Sequence, residues 1–223
     1  MIRNWNDFEE NIDHEMRECE PFSKKANRVD EKKGNKEGIR NHSQISKYLG
    51  NANIKSCDYF LVDEPKNNIY CIEFSDLLAQ KDAFPILSKK QIGLALKKHL
   101  GLINTDKHVI AKITKIIHPE KIMKDELISK IKDTDLLIKY IYSSDFNRIT
   151  NLPDIKLDKY FFIVYKDNSL SDDNKKYFDD ILSDMKISDL YKSFCPLNQS
   201  AINSENIFFL NLEDFKSRYC IEN

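Results

Sequence analysis

The chain has 223 residues, with 35 Lys+Arg against 36 Asp+Glu and a formal net charge of -1. That balance excludes a partner held by bulk positive charge, in the manner of a histone, but leaves room for a local basic groove. Hydrophobic residues make up 41%, enough for a packed core, while only 5 Gly and 6 Pro argue against low-complexity and collagen-like chains.

The opening MIRNWNDFEENIDHEM has no apolar signal-peptide core, and no apolar run approaches the ~18 residues of a membrane helix. The expectation is a cytoplasmic protein with no membrane partner. Five cysteines (19, 57, 71, 195 and 220) are widely and irregularly spaced, which predicts free thiols rather than a zinc site or a disulfide framework. Cys57 and Cys71 fall on strands expected to be neighbours.

The first element is read as an amphipathic helix over 5–19, with Trp5, Phe8, Ile12, Met16 and Cys19 on one face and Asn4 as its N-cap. Residues 23–55 then hold nine Lys/Arg against three acids, a local net charge of +6. This segment is read as a basic loop running into a short element near 39–49. It is either a solvated surface loop or a phosphate-contacting loop. In the second reading Lys32, Lys33, Lys36, Arg40, His42 and Lys47 would bind nucleic acid. His42, in polar surroundings, reads otherwise as a solvent-exposed histidine.

Two β-like runs follow, 57–63 and 69–75, joined by the turn EPKNN. Beyond them the pattern predicts a helix over 88–103, a strand over 108–117 and a long helix over 120–142 broken near Asp133. A strand over 159–165, a helix over 172–192 capped by Ser171 and a strand over 206–212 complete it. The order describes an α/β (α+β) protein built on a mixed β-sheet flanked by helices. A single domain over 1–223 is expected, with a soft sub-boundary near 145–155. It would divide a core (1–145) from a C-terminal α/β extension (155–223) that offers a surface for dimerisation or partner docking.

The hairpin is the most informative element. A turn centred near Pro65–Lys66 sets Val62 opposite Ile69 and therefore Asp58 opposite Glu73. Ser56, Asp58, Phe60 and Val62 would then share a face with Cys71, Glu73 and Ser75. Tyr59, Leu61, Tyr70, Ile72 and Phe74 would form a core face. Two opposed carboxylates on an apolar hairpin repel each other and are costly to bury, so the pair calls for a proton, a basic partner or a metal ion. Mg2+ or Mn2+ suits such a pair, because Mg2+ takes hard oxygen ligands and needs only one or two protein carboxylates. A one-residue register slip would instead put one acid at the sheet edge. Asp76 reads as a further ligand or as a cap for the segment after the strand.

The run Asp58-Tyr-Phe-Leu-Val, a turn, then Ile-Tyr-Cys-Ile-Glu73-Phe-Ser75 resembles the active-site hairpin of the PD-(D/E)XK nuclease superfamily. That pattern is an acid at the start of one strand and Glu-x-Lys on the next. The resemblance spans about residues 5–117. It implies a restriction-endonuclease-like core, with Asp58 and Glu73 as metal ligands in phosphodiester hydrolysis. Ser75 stands in the lysine position. Some members bring the lysine from the next helix, which implies Lys89 and Lys90; Lys81 is nearer but sits in a loop. The resemblance also implies a helix-borne acid, a place that Glu9 takes as a further metal ligand. A Mg2+-dependent nuclease in bacterial or phage defence is the leading expectation. The alternative is a catalytically inactive relative that binds a protein, as an immunity protein, inhibitor or defence-complex subunit.

Overall fold

A computed structural model of the chain describes residues 1–14, 22–30, 37–50, 53–76, 79–80, 90, 93–94, 107–116, 119–143, 146–153, 158–166 and 206–220. In chain order they form β1 (Arg3–Asn4), a 3-10 turn (Trp5–Phe8), β2 (Glu9–Asn11), β3 (Lys25–Arg28), α1 (Ile39–Ser43) and α2 (Ile45–Tyr48). There follow β4 (Tyr59–Asp63), β5 (Asn68–Phe74), α3 (Lys107–Ile116), α4 (Pro119–Ile141), β6 (Ile149–Thr150), β7 (Asp158–Tyr165), β8 (Ile207–Asn211) and α5 (Leu212–Phe215).

Six strands make one mixed sheet in the order β2-β3-β4-β5-β7-β8. The pairs from β2 to β5 are antiparallel, and β5-β7 and β7-β8 are parallel. A mixed sheet with helices was expected, and that coarse fold class is what the chain adopts. β1 and β6 form a separate parallel pair. The stretch near 145–155 contains β6, and β7 beyond it hydrogen-bonds to β5 in the middle of the sheet.

The hairpin turn has a local cause. Pro65 sits in a single 3-10 turn, the Asp63 carboxylate accepts the Lys66 N–H at 3.4 Å, and Asn67 adopts φ 56°. Asn is the residue that tolerates this left-handed conformation best after Gly. The turn fixes the register predicted from sequence, Val62 against Ile69 and Phe60 against Cys71.

Both faces of the hairpin are covered. On one, Phe60, Ile69, Cys71, Phe161 and Ile163 pack against Met123, Leu127, Ile131, Leu137, Ile138 and Ile141 of α4. On the other, Tyr59, Leu61, Tyr70, Ile72, Phe162 and Val164 pack with Phe22, Leu212 and Phe215. Alternation along the strands delivers one set of side chains to each face.

Four expectations are corrected. The basic loop read at the start of 23–55 holds β3, which pairs with β2 and β4 in the sheet and buries Ala26 and Asn27. The helix over 5–19 does not form in its described part, which is a 3-10 turn followed by β2. Trp5 and Phe8 belong to one core cluster and Ile12 to the other, so the apparent helical stripe is divided between the two sheet faces. Asn4 does cap the short turn, its side chain accepting the Asn6 N–H at 3.0 Å. Residues 15–19 lie outside the described residues. The strand over 108–117 is instead α3, since Ile110, Ile113 and Ile116 also recur at helical spacing and β-propensity yields to context. The position beside β5 belongs to β7. Finally, α4 runs unbroken past Asp133. Asp133 does not break the helix because its carboxylate has a use there, accepting the Lys55 N–H at 2.9 Å. The helices over 88–103 and 172–192 lie outside the described residues apart from Lys90, Gly93 and Leu94. Among the described residues no helix is long and apolar enough to cross a membrane.

Polar contacts fix how α4 lies on the hairpin. The Thr134 hydroxyl, fully buried, accepts the N–H of buried Cys57 at 2.9 Å. Thr134→Val keeps the shape and removes that acceptor, so it is expected to cost about 1–3 kcal/mol, while Thr134→Ser retains most of the stability. Urea unfolding of the two variants beside wild type measures the difference.

Candidate active site

Asp58 stands where β4 begins and Glu73 near the end of β5. The Asp58 N–H donates to the Ile72 carbonyl at 2.8 Å, although Ile72 already faces Tyr59 in the ladder. Two residues of the incoming chain thus meet one of β5, the count of a β-bulge, a feature that re-aims side chains. The predicted register therefore holds for Tyr59–Asp63 and shifts at Asp58. The Asp58 Oδ2 accepts the Phe74 N–H at 2.8 Å, which turns its carboxylate toward the end of β5.

Glu73 is buried, 2% exposed, because β5 is a central strand covered by α4. Its Oε1 receives the Lys130 ammonium, and its Oε2 is buried with no hydrogen-bond partner. Burial pushes the Glu73 carboxyl well above the usual carboxylate range. The neighbouring Asp58 charge pushes it further, and Lys130 opposes both. Burial also raises Asp58, to about 6, against the lowering effects of Lys130 and the Phe74 N–H. Burial acts to deprotonate Lys130, but the Glu73 and Asp58 carboxylates outweigh it and hold the amine as a cation. Asp30 adds a further negative charge within range of both acids, and its carboxylate is paired with Arg40.

Ser75, in the lysine position of the resemblance, is buried; its N–H donates to the Val164 carbonyl at 2.9 Å and its hydroxyl accepts from Gln80 at 3.2 Å. Asp76 caps the following segment, accepting the Ala79 N–H at 3.0 Å.

The structure brings together Asp58 and Glu73 but not the other predicted residues. Lys90 is exposed, and Lys81 and Lys89 lie outside the described residues. Glu9 is exposed on β2 and lines an open cleft of about 870 Å³ around the hairpin turn, with Asp63 and Lys66. The acid that does act on the pair is Asp30. Of the basic segment, Lys32, Lys33 and Lys36 lie outside the described residues, and Lys47 is exposed. Arg40 binds Asp30 and donates to the Ile54 carbonyl at 3.0 Å. His42, read from its polar surroundings as solvent-exposed, is buried under α1. Its Nε2 lies 3.2 Å from the Arg148 carbonyl and its ring packs on Phe8. The polar sequence around it concealed a contact made 106 residues away.

Lys130 is the residue sequence reasoning missed. A signal was present: Leu127, Lys130, Thr134, Leu137 and Ile141 share one helical stripe, and two polar residues interrupt its apolar pattern. A polar residue on a core-facing stripe needs a partner, which the sequence did not name.

Comparisons with protein-family models, with curated proteins and with solved structures returned no match. A protonated lysine beside two partly desolvated carboxylates can stabilise developing negative charge and donate hydrogen bonds. It cannot abstract a proton while it remains charged.

Stability should record the Asp58 burden. An Asp in the unfolded chain ionises near 4, whereas folded Asp58 ionises near 6. With its pKa raised by folding, the group costs nothing below about pH 4. It costs progressively more as pH rises through 6, to on the order of 2–3 kcal/mol. Asp58→Asn retains an acceptor for the Phe74 N–H and removes the charge. It is expected to be more stable than wild type at pH 8, with the gap closing toward pH 4, as read by urea unfolding at both pH values.

Proposed function

We propose that the chain is a metal-dependent phosphodiesterase acting on nucleic acid, with a restriction-endonuclease-like core of PD-(D/E)XK type. Asp58, Glu73 and Lys130 are its working residues. The observation that carries this reading is Lys130. A nuclease of this type with Ser75 in the lysine position needs an amine from elsewhere, and α4 supplies one directly against Glu73.

The donor set fits Mg2+ or Mn2+. Glu73 Oε2 is a buried acceptor without a hydrogen-bond partner, and Asp58 has one oxygen beyond the one bonded to Phe74. Among the described residues no three His, Cys, Asp or Glu side chains cluster closely enough to cage a metal ion. Mg2+ keeps several waters and binds through one or two carboxylates together with substrate phosphate. When bound, such an ion supplies a Lewis acid that offsets phosphoryl charge and acidifies water.

The remaining roles belong to the protein. Asp58 and Glu73 would hold the ion. Lys130, kept charged, donates hydrogen bonds at the reaction centre and stabilises negative charge as it develops. Arg40, paired with Asp30, joins the basic segment 23–55 to the site's edge and gives the phosphate backbone a positive approach.

A second reading, an inactive nuclease-like protein that binds a protein partner, is favoured by one observation. Lys130 already neutralises Glu73 inside a buried pair. In that case the pair ties α4 to the sheet and does nothing else.

The test is cleavage of plasmid, linear duplex, single-stranded DNA and RNA with Mg2+ or Mn2+. Wild type is compared with Asp58→Asn, Glu73→Gln and Lys130→Gln. Loss of cleavage by about 10²-fold or more in each variant, with folding confirmed by circular dichroism, is the expected result. Folded wild type that cleaves none of these substrates with either metal would discard the enzyme and leave the binding protein.

A further inference from the structure

α2 presents an aromatic ring whose position the fold does not explain as core. Tyr48 is 68% exposed, yet its ring lies 4.5 Å from that of Tyr140 on α4. Tyr140 is itself held by Phe146 at 5.2 Å. Tyr48 is therefore fixed against a support on one side and left largely to solvent on the rest. Leu136, one turn before Tyr140 on α4, is also exposed, at 39%. Lys47 beside Tyr48 is exposed, and both lie in the segment of net charge +6.

Residues 55–58 connect α4 to the candidate active site. The Lys55 N–H meets Asp133, the Cys57 N–H meets Thr134, and Asp58 follows. Lys130 and Tyr140 stand ten residues apart on that helix, which at 1.5 Å per residue is roughly 15 Å. A strand of about four stacked nucleotides, at ~3.4 Å each, spans such a distance.

We infer that Tyr48, backed by Tyr140, is a stacking platform for an unpaired base of single-stranded nucleic acid whose backbone runs along α4 to the carboxylate pair. This rests on the nuclease reading and names its substrate class. Charge favours this occupant over a protein: Lys47, exposed beside Tyr48, offers a cation to a phosphate. Strand number follows from stacking, because only an unpaired base has a free face to offer and stacking on an aromatic side chain tolerates any sequence.

The experiment measures oligonucleotide binding by fluorescence anisotropy in EDTA, so that cleavage does not enter. It compares a single strand with a duplex of the same length, using wild type, Tyr48→Phe, Tyr48→Ala and Tyr48→Trp. Tyr48→Ala is expected to weaken single-strand binding roughly 10- to 100-fold and to leave duplex binding unchanged, while Tyr48→Phe binds as wild type does. The chain's one tryptophan, Trp5, is buried, so an indole at position 48 would dominate quenching by added oligonucleotide, and quenching is expected. Equal single-strand affinity for Tyr48→Ala and wild type would overturn the inference, as would an unquenched Tyr48→Trp that still binds.

The two ideas fail separately. Wild type that binds and cleaves only duplex refutes the platform and keeps the nuclease. Tyr48-dependent binding without cleavage at any metal keeps the platform and refutes the nuclease. Wild type that binds no nucleic acid refutes both and turns the exposed Tyr48 toward a protein partner.

Discussion

Glu73 is 2% exposed in the middle of a six-stranded sheet, and a lone carboxylate there would carry a large desolvation cost. The ammonium of Lys130 is what makes that position tolerable. The pair also constrains the layer above it, because α4 must present Lys130 at one rotation about its axis. Asp133 and Thr134 hold that rotation through the backbone of Lys55 and Cys57. Removing one partner of such a buried pair leaves an uncompensated charge, at a cost of about 3–5 kcal/mol, so helix, strand and bulge act as one unit.

Within that unit the charges do not balance. Among the described residues Lys130 acts on both acids and Arg28 on Asp58, and burial still raises both. A protein built for stability alone would place an apolar side chain at Asp58 or Glu73. Retaining both is the pattern of a site, where local destabilisation is kept because a ligand or a transition state later uses it. The nearby thiols are quieter: Cys57 and Cys71 are free and fully buried, and burial pushes the Cys57 thiol well up, away from reactivity.

The site lies toward the end of β5, which runs parallel to β7, and α4 connects the hairpin side of the sheet to β7. Chain leaving such parallel strands tends to open a crevice at their carboxyl ends. The Arg40–Asp30 pair stands at the border between this centre and the basic segment.

Much of the hairpin was legible in the sequence. Asp63, Pro65 and Asn67 specify the turn, and period-two alternation then determines which residues share a face. Local chemistry sufficed because the partners lie within fifteen residues of one another. The apolar runs at 159–165 and 206–212 were also legible as strands, although only β7 is largely buried and β8 lies at the sheet edge with Phe208 exposed. Other features were settled by contacts between distant segments. Trp5, Phe8 and Ile12 keep helical spacing yet divide between two sheet faces, and the β-branched composition of 107–116 favours a strand although the segment is a helix. The Asp58 bulge depends on where β3 and α4 pin the incoming chain. Lys130 is brought to Glu73 across 57 residues, and periodicity marks such a lysine as misplaced without naming its partner. The sequence by itself determined the turn, the strands β4, β5, β7 and β8 and the two carboxylates. Only the tertiary structure decided which cation answers them, because a buried charge is compensated by proximity in space, which spacing along the chain does not encode.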